Sequence, residues 1–400
     1  MSANAGSASG RARSIARLAS VLAAVLLLAA CATPSEKPTP LAKRFVNRVR
    51  VQTQWGTRVR GEAPNLRLGL DIAEADGRLF VANYKGEVRA FDAASGRPLW
   101  RRRLKAPLAG GPGAGGDLVV IGSSKGEVIA LRQADGAVRW RVRINSEILS
   151  APAVSQDMVL IRAVDGRLHG LSSSDGSESW VIDQEVPRLS LRGTSQPLFA
   201  GDLAICGFDN GRVLAALRRN GTTAWDVSVG QAHGSTELAR LIDVDAPVVA
   251  DGDDLFAIAY QGRLARIERD TGRVLWTHDI SSYRGFAVDA QALYVATAEG
   301  DVVRLDRQNG AELWRQKALE HRQLSAPALY SGRLVLGDLQ GFVHWIDPAN
   351  GALVARARIG KAPVRAAPIV SSGLVVVFSD GGDLRAFRTP AAPVASAAVH

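Results

Sequence analysis

Cysteine is almost missing from this 400-residue chain, occurring only as Cys31 and Cys206. Histidine is scarce as well, and His169, His233, His278, His321, His344 and His400 show none of the spacing that metal ligands require. The glycine-rich GGPGAGG from Gly110 has no helical pattern behind it and cannot cradle a phosphate in that context. DGDD at Asp251 lacks the remaining ligands of a calcium loop and reads as a polar turn before the strand-like LFAIAY. Arginines are scattered over turns and strand faces and do not cluster with aromatics, which argues against nucleic-acid binding. The apolar run from Leu18 to Ala30 is too short for a comfortable membrane span.

That run has a different meaning. Arg11, Arg13 and Arg17 precede it as a cationic n-region, so residues 1–30 read as a targeting segment. It ends in Leu28-Ala29-Ala30-Cys31, which resembles a bacterial lipobox; the resemblance implies acylation of Cys31, and Ala32 behind it implies sorting to the outer membrane. An ordinary secretory signal cut near a cysteine is the alternative, and Triton X-114 partitioning of a Cys31→Ala protein separates the two. Removing the three signal arginines leaves 46 basic against 39 acidic residues, the balance of a solvated surface near anionic lipid. Residues 31–44, rich in proline and polar side chains, read as a flexible, extended tether. With Cys31 acylated, Cys206 in LAICGF has no disulfide partner and reads as a small buried hydrophobe.

The rest of the chain is periodic. Segments such as GRLFVANYKGEVRAFDAASGRPLW from Gly77 and GDLVVIGSSKGEVIALRQADGAVRW from Gly116 recur eight times, with a turn glycine at Gly86, Gly126, Gly166, Gly211, Gly262, Gly300, Gly341 and Gly382. Each unit of about 40 residues holds alternating apolar runs separated by glycine turns, the pattern of four antiparallel strands. Eight such units predict an all-β, eight-bladed β-propeller over residues 45–389, with 390–400 as a disordered tail. Trp100, Trp140, Trp180, Trp225, Trp276 and Trp314 each stand four residues after the second turn glycine, so they are expected to pack between neighbouring blades; the seventh unit has no tryptophan there, and Val354 is expected to take its role. The eighth unit stops at Phe387 without a last strand, while RVRVQTQWGTRV lies spare at the other end. The N-terminal segment 45–59, carrying Trp55, is therefore expected to supply the outer strand of the last blade and close the ring.

The tryptophan spacings of 40, 40, 45, 51 and 38 residues place insertions after Trp180 and Trp225. Both connect the outer strand of one blade to the inner strand of the next, so they share a rim and are neighbours. The first insertion carries Leu189, Leu191 and Arg192, and the second carries Asp243 and Asp245. Apolar anchors flanked by complementary charges suit a protein-docking surface. The same residues also suit a short core-facing strand and a loop-to-loop salt bridge of structural value only.

Over about 45–388 the units xGxVxAxxxxxGxxxW resemble the pyrroloquinoline-quinone-like β-propeller repeat family, a likeness that specifies fold more than function. The segments VPRLSLRGTSQP from Val186 and GQAHGSTELARLIDVDAP from Gly230, together with the lipobox, resemble the propeller lipoproteins of the outer-membrane β-barrel assembly (BAM) machinery. That resemblance implies a non-catalytic scaffold, lipid-anchored in the outer membrane and facing the periplasm. It further implies that Leu189, Leu191, Arg192, Asp243 and Asp245 contact the POTRA domains of a BamA-like barrel, with other BAM lipoproteins as partners and unfolded outer-membrane proteins as clients. No cofactor is expected. The rivals are a quinone-dependent dehydrogenase and a propeller that binds a ligand in its channel; the first needs Ca²⁺, a catalytic Asp and a vicinal disulfide that Cys206 alone cannot form.

Overall fold

The structure, a computed structural model, describes residues 37–59, 69–187, 195–230 and 242–392. Lys37 and Pro38 are the described part of a separate N-terminal unit, and the fold lies in the unit from Thr39 onward. Among the described residues every regular element is a strand, and the strands form eight sheets, each an up-and-down antiparallel blade of four, with the short Gly69–Leu70 added to blade 2 as a fifth strand parallel to its inner one. Blades 1 to 7 span 72–103, 108–143, 153–183, 198–228, 249–279, 286–316 and 328–358. Blade 8 takes three strands from 369–388, and its outer strand is Gln52–Arg58 from the other end of the chain, antiparallel to Asp383–Arg388. The ring is closed as the repeat count requires, and the closure covers an edge that would otherwise expose a row of backbone donors and acceptors.

The second strand of each blade is apolar through its middle, as in Leu118–Ser123 and Leu374–Phe378, because it is covered on both faces, and its polar residues stand at the strand ends. The hydrophobic core is accordingly eight clusters, each made by two adjacent blades: Leu79 and Val81 of blade 1 meet Leu374 and Val376 of blade 8, for example.

The repeated tryptophan works as a clasp between blades. Trp55, Trp100, Trp140, Trp180, Trp225, Trp276 and Trp314 each donate Nε1–H to a backbone carbonyl in the outer turn of the following blade, at 2.7–3.1 Å. The ring lies flat on the glycine of that turn: Gly136 has φ +69°, and a Cβ there would sit 2.6 Å from the Trp100 ring. A left-handed turn and an overlying indole thus demand the same glycine. Blade 7 lacks the tryptophan; the place expected for Val354 belongs to Ala355, which stands four residues after Gly351 and pairs with Trp345 as Trp100 pairs with Ala90, and the geometry explains why no indole is there. Blade 8 has no turn between its third and outer strands, since those strands come from opposite ends of the chain, so no carbonyl is offered. The gap is filled by Trp345, fully buried and edge-on to Phe387 at 5.5 Å. The glycine-rich segment also has a structural cause. Leu108–Gly115 is the inner strand of blade 2 and runs so close to blade 3 that a Cβ on Gly113 would collide with the Pro152 carbonyl.

Of the expected tether, residues 37–44 are described, and from Thr39 onward the chain is bound to the ring. Thr39 N–H donates to Glu320 O at 3.1 Å, and Arg48 N–H donates to Val354 O at 2.8 Å. At the other end the chain is described to Ala392, whose N–H donates to Ser331 O; the expected tail beyond it, 393–400, lies outside the described residues.

Candidate functional site: the rim of blades 3 to 5

Connections 184–197 and 229–248 are the longest between consecutive blades, and their bases touch. Ser195 Oγ–H donates to Ala246 O at 3.1 Å, so the end of the first is tied to the end of the second. Leu189, Leu191 and Arg192 fall in 188–194, outside the described residues, as does the middle of the second connection, 231–241.

The described end of the second connection, Ile242-Asp243-Val244-Asp245-Ala246, alternates strictly. Ile242 and Val244 enter the cluster between blades 4 and 5, where Val244 packs against Gly207, while Ala246 enters the cluster between blades 5 and 6. The backbone is held from both sides: Val244 N–H donates to Phe208 O at 3.2 Å, and Tyr260 N–H donates to Asp243 O at 2.7 Å. The segment is thereby pinned between the inner turns of blades 4 and 5, and the two aspartates fall on its other face.

That face is not open surface. Asp243 is fully buried and Asp245 only partly exposed, and one carboxylate oxygen of each lies within 4.8 Å of the others in a group completed by Asp209. Asp209, buried in the inner turn of blade 4, accepts a bond from Arg162 Nη2 at 2.9 Å. Arg162 is itself 1% exposed, and its guanidinium lies 4.6 Å from the centre of the Phe208 ring. Three carboxylates gathered in so buried a place cannot all stay charged at low cost. Burial pushes the Asp245 carboxyl up to about 7, with the Asp209 charge adding to the rise and Arg162 and Arg284 opposing it. Burial also raises Asp209 against the pull of Arg162. Asp245 Oδ1 has no hydrogen-bond partner among the described residues, as fits a carboxyl that is protonated part of the time. A metal would find three oxygens within reach, but Asp209 Oδ1 is already taken by the arginine.

Sequence reasoning reached Asp243 and Asp245 but missed Arg162 and Asp209, which complete the group. A signal for Arg162 was present. It stands four residues before a turn glycine, where the other units carry Ala82, Gly122, Gly207, Ile258, Ala296, Gly337 and Phe378, so it is the one charge in that row. Cys206 lies beside the group, fully buried, and burial pushes its thiol up to about 12, which makes it unreactive.

Eight four-stranded blades with a tryptophan clasp define a β-propeller of the pyrroloquinoline-quinone-like repeat class, here carrying a rim that departs from the repeat. The family model described as outer membrane protein assembly factor BamB matches residues 84–316 and 298–391. The chain is 43% identical to the outer membrane protein assembly factor BamB of Pseudomonas aeruginosa over 92% of its own length and 98% of the relative's. The crystal structure of BamB from Moraxella catarrhalis superposes with a TM-score of 0.78 at 27% identity, covering 85% of this chain and all of that one. A quinohemoprotein alcohol dehydrogenase from Comamonas testosteroni superposes at 0.67 with 12% identity, covering 86% of this chain and 77% of that one, and shares the fold alone. The chain belongs to the BamB family.

Proposed function

We propose that this protein is a non-catalytic scaffold of outer-membrane protein assembly, acylated at Cys31 and held at the outer membrane with its propeller in the periplasm. It grips the POTRA domains of a BamA-like barrel through the rim of blades 3 to 5. Other BAM lipoproteins share the complex, and unfolded outer-membrane proteins are the clients it helps deliver. The observation that carries this reading is the BamB match across both lengthened connections, joined to the hydrogen bond from Ser195 to Ala246 that sets those connections side by side. Leu189, Leu191 and Arg192 supply the anchors. Asp243 and Asp245 act from beneath. Their carboxylates are turned into the Arg162–Asp209 group, so they set the position of the strip from which the second connection rises.

The dehydrogenase alternative rests on a likeness of fold only. Its vicinal disulfide cannot form where Cys206 is the single cysteine after Cys31. The test is affinity purification from solubilised membranes. The wild-type chain should retain a BamA-like barrel, and the pair Leu189→Ala with Arg192→Ala should lose it while melting at the wild-type temperature. Retention by a normally folded double variant would defeat the proposal.

A further inference from the structure

Residues 37–61 contain Lys37, Lys43, Arg44, Arg48, Arg50, Arg58 and Arg60 and no aspartate or glutamate, in a chain whose acidic and basic residues are otherwise mixed. The structure shows how this stretch is presented. From Thr39 to Val51 it is a strap laid along the outer edge of blades 6 and 7 before it becomes the closing strand Gln52–Arg58. Three of its apolar residues face the ring: Leu41 joins the cluster between blades 6 and 7, and Val49 and Val51 join that between blades 7 and 8. Arg356 Nη2 donates to Ala42 O at 2.8 Å and lies over the Phe45 ring at 5.2 Å, while Asn47 exchanges two hydrogen bonds with the Arg356 backbone at 2.9 and 3.1 Å. The upstream end is held most firmly, because Arg322, buried and paired with Asp338 at 2.8 Å, donates to Thr39 O at 2.9 Å.

With that face committed, the other carries Lys43, Arg44, Arg48 and Arg50, all exposed and none ion-paired among the described residues. Between them stands Val46, 84% exposed, the most exposed large hydrophobic residue described. The adjoining outer strand Leu353–Arg358 adds the exposed Arg358, and Arg388 stands opposite Gln52. Most arginines on the propeller are tied to a neighbouring carboxylate, as Arg167 is to Asp183 and Arg263 to Asp279. A row of unpaired cations around a bare valine has no comparable intramolecular use.

We propose that this strap is a membrane-surface contact, in which Lys43, Arg44, Arg48 and Arg50 bind the phosphates of anionic phospholipid headgroups and Val46 enters the interface between them. Chain length supports that occupant. Seven residues separate Cys31 from Thr39, so the strap begins within at most about 28 Å of that cysteine along the chain. Bound this way, the propeller would be held by its blade 7 edge instead of swinging freely on a tether.

The inference complements the lipid-anchor reading, and its test does not depend on acylation. The full mature chain bearing Cys31→Ala is cosedimented with vesicles of phosphatidylglycerol and phosphatidylethanolamine, and separately with phosphatidylcholine vesicles. Binding should occur on the anionic vesicles only and disappear in 0.5 M salt. Lys43→Gln, Arg44→Gln and Arg48→Gln together should weaken it about 100-fold, from roughly fivefold per charge removed, and Val46→Asp should weaken it further. Arg139→Gln with Arg143→Gln, on the exposed outer strand of blade 2, should leave it unchanged. Equal binding to both vesicle types, no binding, or full binding by the triple variant would overturn the proposal; so would a strap that fails on vesicles yet is required to capture an acidic protein. Failure of the anchor reading is a separate result, read from detergent partitioning of the unmutated precursor.

Discussion

Replacing Arg162 by alanine removes the guanidinium bonded to the Asp209 carboxylate and leaves that group buried beside Asp243 and Asp245. Breaking a buried ion pair from one side costs about 3–5 kcal/mol, because the remaining charge is stranded. A ring of about 340 residues loses stability at roughly 0.7 kcal/mol per degree near its melting point, so the expected fall is about 4–7 °C by calorimetry. The fall should depend on pH, and the sign follows from linkage. An aspartate whose folded pKa is raised binds its proton more tightly in the folded state, so its cost is absent below the unfolded pKa near 4 and grows as pH rises towards the folded value. Arg162→Ala should therefore lie closest to wild type at pH 5 and fall furthest behind at pH 8. Arg162→Met with Asp209→Leu removes both charges and should recover most of the loss. A deficit equal at both pH values, or below about 1 kcal/mol, would refute the view that this arginine exists to neutralise the group.

The wild-type protein should itself lose stability between pH 5 and 8, because Asp245 is held near 7 by burial and by Asp209; Asp245→Asn should flatten that slope in a series of melting curves. Deleting 45–58 removes the partly buried Phe45, Val49, Val51 and Trp55, worth about 6 kcal/mol at roughly 1.5 each, and uncovers an edge strand. The whole ring should melt earlier, and an unchanged melt would count against closure by this strand. Gly113→Ala should cost about 3 kcal/mol or more through collision with the Pro152 carbonyl. At Gly201, where nothing stands within 4 Å, the same change should cost about 1 kcal/mol for its left-handed backbone alone; chemical denaturation measures both.

Most of the ring was legible because its signals are local and repeated. Turn glycines, alternating strands and a tryptophan at one register position lie within about 40 residues of each other, and eight copies leave little room for another count. Closure by Gln52–Arg58 was legible by subtraction, from one missing strand at one end and one spare strand at the other. The missing tryptophan of the seventh unit was visible as an exception but not as a consequence, since only the assembled blade 8 shows that the turn a tryptophan would clasp does not exist. The apparent phosphate-loop glycines likewise found their cause in a backbone from the next blade.

The rim divides the same way. Sequence alone established that two insertions depart from the rhythm, that they neighbour each other, and that Asp243 and Asp245 belong to the second. It could not say where those carboxylates point, because a two-residue alternation permits either face and the choice depends on which side meets Gly207 and Phe208 of another blade. Tertiary structure made that choice: it turned the aspartates onto Asp209 and Arg162, residues 34 and more positions away, and made their charge a property of the group. In the strap the same division holds. Its basic composition is written in the chain, while burial of Leu41, Val49 and Val51 against blades 6 to 8 decides that the cations are the face left for a partner.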